Sequence, residues 1–131
     1  MSYRDTRRLR DIAVAAAAIE QHLARGPVDD GLVFDAVCMR FVEIGEAVKG
    51  LSPDLTAMRP DVPWREIARM RNHLAHRYFA TAQDVVLRTA TDDLPVLQRA
   101  VAGLLRATAP TPSDVSDGAT DPTDSAPSAG V

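Results

Sequence analysis

The segment RNHLAHRY, residues 71–78, contains side chains suited to chemistry on a phosphate. Arg71 carries a fixed positive charge, His76 brings an imidazole, and Asn72 could orient that imidazole or donate to a phosphate oxygen. An imidazole that takes the proton of a 2′-hydroxyl, with a guanidinium that stabilises charge on the phosphate, can cleave RNA without a metal. The spacing R-x4-H is common by chance, so the elements around it must decide whether it is a site.

An apolar stripe runs along the same segment. Its members recur at three- and four-residue steps and are Trp64, Ile67, Met70, Leu74 and Tyr78. At about 100° per residue, Arg71 falls inside that stripe and roughly 140° away from His76. Four polar residues fall on the opposite side of the helix from the stripe: Arg65, Arg69, Asn72 and His76. Because a guanidinium keeps its charge, Arg71 must meet a carboxylate or emerge at the edge of the stripe into a cleft.

The preceding helix offers carboxylates for this pairing. Glu46 and Asp35 lie on one of its side faces, so either of them could meet Arg71. A purely structural ion pair is the plain alternative to a catalytic role for Arg71. For Tyr78, the plain alternative is a buried hydroxyl that only makes a hydrogen bond.

The elements that must position these residues are helices. Apolar residues at helical spacing predict a first helix over roughly residues 4–25, which ends before Gly26. Asp29 or Asp30 can cap a second helix, which should end at Gly50.

A loop rich in proline should follow and lead to a third helix that starts near Pro63. A fourth helical region spans about residues 83–107, and Pro95 should kink or split it. Gly45, inside the second helix, suggests that another backbone comes close there. With no strand pattern, the chain is predicted to be all-α, with four or five helices around one core.

Composition divides the chain into a domain, residues 1–108, and a tail, residues 109–131. The tail is rich in Pro, Ser, Thr and Asp and is expected to be disordered. Residues 1–108 hold all 15 Lys and Arg residues, and the tail holds four of the 18 Asp and Glu residues, which leaves the domain with a formal net charge of +1.

No metal site is expected, because His73 and His76 are joined by no Cys and no Glu-x-x-His motif.

Nothing in the chain predicts export or membrane insertion. The first residues are basic and polar, and the apolar run that follows is mostly Ala and too short to span a bilayer. The only cysteine, Cys38, excludes an intramolecular disulfide. We therefore expect a cytoplasmic protein that needs no cofactor.

The motif and its flanks resemble those of HepT-like toxins, a branch of the HEPN superfamily of helical ribonucleases. Arg71, His76 and Tyr78 occupy the three defining positions of the R-x4-H-x-Y motif, and Asn72 occupies its usual polar position. The stretch FVEIGEAVKGLS resembles the helix-two signature of the family, and VPWREIARMRNHLAHRYF contains its typical proline-tryptophan start of the motif helix. The likeness runs from about residue 5 to residue 107.

This resemblance implies a homodimeric HEPN-type bundle in which two copies of the motif meet in one cleft and cut RNA without a metal. It implies Arg71, His76 and Asn72 as catalytic residues. From its place on the second helix, Glu46, or its neighbour Glu43, could hold Arg71 in place. The resemblance also implies a cognate minimal nucleotidyltransferase antitoxin that transfers AMP onto Tyr78, so that added phosphates occupy the anion site and repel RNA. The alternative is a non-catalytic helical module that only binds the nucleotidyltransferase.

Overall fold

The computed structural model describes residues 1–76 and 79–108, with side chains for residues 1–74 and 83–107. Every regular element in that part of the chain is helical, which confirms the all-α prediction. The elements are α1 Tyr3–Arg25, α2 Gly31–Lys49, α3 Pro53–Ala57, α4 Trp64–Ala68, α5 Met70–His76, α6 Phe79–Arg88, a π-helical segment Thr89–Asp93 and α7 Leu94–Thr108. The tail lies outside the described residues.

The core lies between α1, α2 and α7. α2 packs along α1 on one side and against α4 and α5 on another, and α7 packs against α1. The largest side chains that are fully buried in this core are Leu9, Ile12, Ile19, Val37, Phe41, Ile44, Met70, Val86, Leu97 and Val101. α2 is therefore the central helix, and the motif helix α5 is held against it.

None of the described helices combines the length and the apolar character that a membrane crossing requires.

The two ends of α2 follow from local chemistry. At its start, the Asp30 carboxylate accepts from the N–H groups of Leu32 at 2.9 Å and Val33 at 3.3 Å. Of the two predicted caps, Asp30 is therefore the one used. At its end stands Gly50, as predicted, and the Arg8 guanidinium lies so close that a Cβ on Gly50 would overlap it.

The prediction of a continuous loop between Gly50 and Pro63 is wrong. Residues Pro53–Ala57 form the short helix α3, with Ser52 before it and proline in its first turn. The chain then returns to α4, where the Trp64 indole N–H donates to the carbonyls of Thr56 at 3.1 Å and Arg59 at 3.0 Å. Half-buried Trp64 thus fixes the start of α4 to the loop in front of it.

The predicted break at Pro95 is confirmed as a change of helix type. The π-helical segment Thr89–Asp93 separates α6 from α7, and the N–H of Leu94 bonds to the carbonyl of Thr89, five residues back. Proline has no N–H to donate and crowds the carbonyl four residues before it. A wider turn just ahead of Pro95 relieves that crowding without ending the helical run.

A buried carboxylate ties α1 to the turn between α2 and α3. Asp5 is only 4% exposed, and it accepts from the Ser52 N–H at 3.0 Å and the Ser52 hydroxyl at 2.7 Å. Burial by itself would raise the pKa of this carboxyl, but the hydrogen bonds from Ser52 outweigh burial and hold the pKa below its ordinary value of 3.8. The Asp5 side chain can therefore accept both hydrogen bonds from Ser52 fully only in its charged, deprotonated form.

Replacing Asp5 by Ala should lower the free energy of unfolding by about 1–3 kcal/mol, because the Ser52 donors lose their partner. Since the folded pKa is depressed, this contribution is complete above the ordinary pKa of 3.8, which the carboxyl has in the unfolded chain, and is lost as the pH falls through the folded value. Urea unfolding at pH 7 and at pH 3 measures both effects. Asp11→Ala, an exposed carboxylate on the same helix, is the control; an equal loss at both pH values would contradict the assignment.

Candidate active site

The motif segment consists of two short helices with a break at Arg69. The N–H of Arg69 still donates to the Arg65 carbonyl at 3.1 Å, while the Arg69 carbonyl accepts from the N–H groups of Asn72 at 3.0 Å and His73 at 3.1 Å. The bond from Asn72 spans three residues and tightens the turn. The assumption of a continuous ideal helix across this segment is therefore wrong.

The backbone of α4 passes directly over Gly45 of α2. A Cβ on Gly45 would lie 3.3 Å from the Ala68 carbonyl oxygen, 3.5 Å from the Ile67 carbonyl oxygen and 3.7 Å from the Cβ of Arg71. The close backbone approach predicted from this glycine is confirmed. It sets the distance at which α2 and the motif segment meet, and so places Arg71 beside α2.

Arg71 pairs with Glu46, the residue that follows Gly45. Its Nε lies 2.8 Å from Oε2 of Glu46, so of the two carboxylates left open by the sequence, Glu46 and not Asp35 is the partner. The two side chains are 51% and 50% exposed, so the guanidinium does not lie in the buried stripe. It leaves the stripe over Gly45, where no side chain blocks it, and emerges at the surface.

A cleft of about 210 Å³ opens at this pair. It is lined by Gly45, Glu46, Lys49, Arg65, Ala68, Arg69, Arg71 and Asn72. Ideal helical angles place Arg65, Arg69 and Asn72 on the side of the helix opposite to the apolar stripe, but in the structure these three residues and Arg71 all line the same cleft. Arg65 and Arg69, which the motif does not mark as site residues, are therefore part of it.

Two predicted site residues lie partly or wholly outside the described residues. His76 is the last residue of α5, and its side chain is not among those described. Tyr78 lies outside entirely. Asn72 is exposed and lines the cleft with Arg71. In the described part of the chain, no three His, Cys, Asp or Glu side chains are grouped as metal ligands would be.

Comparisons with known proteins identify one family. The family model described as Ribonuclease HepT-like matches residues 4–104, which include all of α2, α4 and α5 and nearly all of α1. No solved structure matches the chain significantly.

Two relatives illustrate the range of similarity. The chain is 37% identical over 94 residues to the "Probable ribonuclease HepT" of Thermococcus cleftensis, an alignment that covers 69% of this chain and 86% of the relative. It is 38% identical over 63 residues to a "Putative RNase" of Caldanaerobacter subterraneus subsp. tengcongensis, covering 48% of this chain and 56% of the relative. Because the family model matches residues 4–104 and the relative from Thermococcus cleftensis is 37% identical over 86% of its length, the chain belongs to the ribonuclease HepT-like family.

Proposed function

We propose that the protein is a metal-independent endoribonuclease and the toxin of a type VII HepT/MNT toxin-antitoxin pair in the cytoplasm. The observation that carries this proposal is the position of Arg71. Glu46 engages Nε of its guanidinium, and the side chain is half exposed in a cleft that Asn72 also lines. Arginine has five N–H donors, so the pair with Glu46 leaves the terminal nitrogens available for a phosphate.

The chemistry requires one proton acceptor and one source of positive charge. His76 takes the proton from a ribose 2′-hydroxyl, whose oxygen attacks the adjacent phosphorus as the bond to the 5′-oxygen breaks. The departing 5′-oxygen takes up a proton, from an imidazolium or from water, so charge balances. Arg71 stabilises the charge on the phosphate oxygens, and Asn72 orients the imidazole or donates to the same phosphate. Glu46 supports the site by holding Arg71 in place.

A homodimer would bring two such clefts together, as the family resemblance implies. The same resemblance assigns regulation to a cognate minimal nucleotidyltransferase, which transfers AMP from ATP onto the Tyr78 hydroxyl and releases pyrophosphate. The added phosphate would compete with RNA for the Arg71 guanidinium and repel the RNA backbone.

Mass spectrometry tests this regulation. Protein produced with its neighbouring nucleotidyltransferase should be heavier by whole AMP units than protein produced alone, and Tyr78→Phe should remove the increment. An adduct that persists in Tyr78→Phe would reject Tyr78 as the acceptor, while the nuclease proposal would stand.

The second candidate is a non-catalytic helical module that binds the nucleotidyltransferase. The ion pair between Arg71 and Glu46 favours it, since such a pair can serve structure alone. The exposure of both side chains argues against it, because pairs at the surface contribute about 0–1 kcal/mol or less to stability.

RNA cleavage in excess chelator is the decisive experiment. The purified full-length protein should cut single-stranded RNA in the presence of EDTA, because imidazole and guanidinium supply the chemistry. The variant with both Arg71 and His76 replaced by Ala, purified in the same way, should leave the RNA intact. Cutting by that double variant at the wild-type rate would reject the assignment, and wild type that leaves RNA intact would favour the binding module.

A further inference from the structure

The cleft at Arg71 holds more positive charge than catalysis alone requires. Besides Arg71, its lining includes Lys49 from the last turn of α2, Arg65 from α4 and Arg69 from the break that follows α4. All three lie at the surface, and none forms an ion pair with another described residue. Glu46 is the single carboxylate of the lining, and Arg71 already engages it.

We propose that Lys49, Arg65 and Arg69 bind the RNA backbone next to the phosphate that is cut. This inference rests on the proposed nuclease function and adds a subsite to it. The three side chains contact phosphates and read no bases, so the subsite is independent of sequence.

The arrangement has no evident benefit for stability. Arg65 and Arg69 are four residues apart and joined by the backbone hydrogen bond of 3.1 Å, so they are neighbours of like charge on one helical face. Such pairs destabilise a helix slightly. Lys49 does complement the dipole of α2, but that requires one cation and not three. A polyanion in the cleft would relieve this repulsion.

A larger groove elsewhere on the protein lacks this bias. Between α1 and α2 lies a groove of about 640 Å³, lined in part by Arg8, Asp11, Glu43 and Glu46. Charges of both signs occur there, so a polyanion gains little. Since residues 1–108 carry almost no net charge, the cations around Arg71 are a local concentration.

Binding of an RNA that cannot be cut tests the subsite apart from catalysis. The probe is a fluorescent single-stranded oligonucleotide with 2′-O-methyl ribose, titrated with full-length protein at several salt concentrations. The variant Arg65→Ala/Arg69→Ala should bind at least about 10-fold more weakly at low salt, and its slope of log K against log salt should fall by about 0.7 for each phosphate that the protein no longer neutralises. Lys49→Ala should act in the same direction.

Arg25→Ala/Arg88→Ala is the matched control. It removes two exposed arginines that do not line the cleft, so its affinity should equal that of wild type. In cleavage assays, Arg65→Ala/Arg69→Ala should raise KM at least about 10-fold and change kcat little, because binding to remote phosphates is equal in the ground and transition states. His76→Ala should retain binding of the probe and lose cleavage.

The outcomes separate the two proposals. If wild type cuts RNA while Arg65→Ala/Arg69→Ala keeps the wild-type affinity and salt slope, the subsite is rejected and the nuclease stands. If the same variant loses only its binding to the nucleotidyltransferase, the cations serve a protein partner and the subsite is also rejected. If wild type binds the probe through these residues but never cuts RNA, the nuclease proposal fails and the binding surface remains.

Discussion

Replacing Arg71 by Ala should abolish most RNA cleavage and leave the fold nearly as stable as before. The guanidinium stabilises the phosphate in the transition state, and loss of one such donor typically costs about 10²–10³-fold in rate. Both side chains of its ion pair with Glu46 are half exposed, so the pair contributes about 0–1 kcal/mol to stability. Cleavage rate and thermal unfolding, measured on one preparation, report both effects.

Two further variants sharpen this prediction. His76→Ala should cost about 10²–10⁴-fold, the usual contribution of a general acid or base. Arg71→Lys keeps the charge and loses the planar fork of donors, so it should recover only part of the rate. Suppose instead that Arg71→Ala unfolds at a much lower temperature than wild type and that wild type does not cleave RNA. That result would identify the ion pair as structural.

Much of the bundle can be predicted from the sequence because its signals are local. The helical period of apolar residues predicts α1 and α2. Gly50 predicts where α2 ends, and the pair Asp29 and Asp30 predicts where it begins without deciding between them. Gly45 predicts a close approach between helices because a glycine inside a helix is costly without one. Pro95 predicts the interruption that the π-helical segment provides.

The cleft could not be predicted in this way. No glycine or proline lies between Trp64 and His76, so nothing local marks the break at Arg69. The break occurs where the carbonyls of Ile67 and Ala68 meet Gly45. Arg65 and Arg69 line the same cleft as Arg71, an arrangement that the angles of an ideal continuous helix do not predict. The five-residue helix α3 is too short to show a period, although Ser52 and Pro53 are a usual start.

Gly45 should be the position where a small substitution disturbs both the fold and the site. Gly45→Val places a branched side chain where even a Cβ would lie 3.3 Å from the Ala68 carbonyl oxygen. The obstacle is backbone and cannot rotate away, so α4 must move from α2 at a cost of about 1–3 kcal/mol, typical of overpacking. The same displacement separates Arg71 from Glu46, so RNA cleavage should fall more than the decrease in folded protein explains.

Gly31→Ala is the matched control, because a Cβ at Gly31 would meet nothing within 4 Å. It should leave stability unchanged or raise it by up to about 1 kcal/mol, since Ala restricts the unfolded chain more than Gly does. Chemical unfolding gives the stabilities, and cleavage below the unfolding transition gives the activities. Gly45→Ala should fall between the two variants. If Gly45→Val matches Gly31→Ala in both measurements, packing against α2 does not position Arg71, and the cleft must be held by other means.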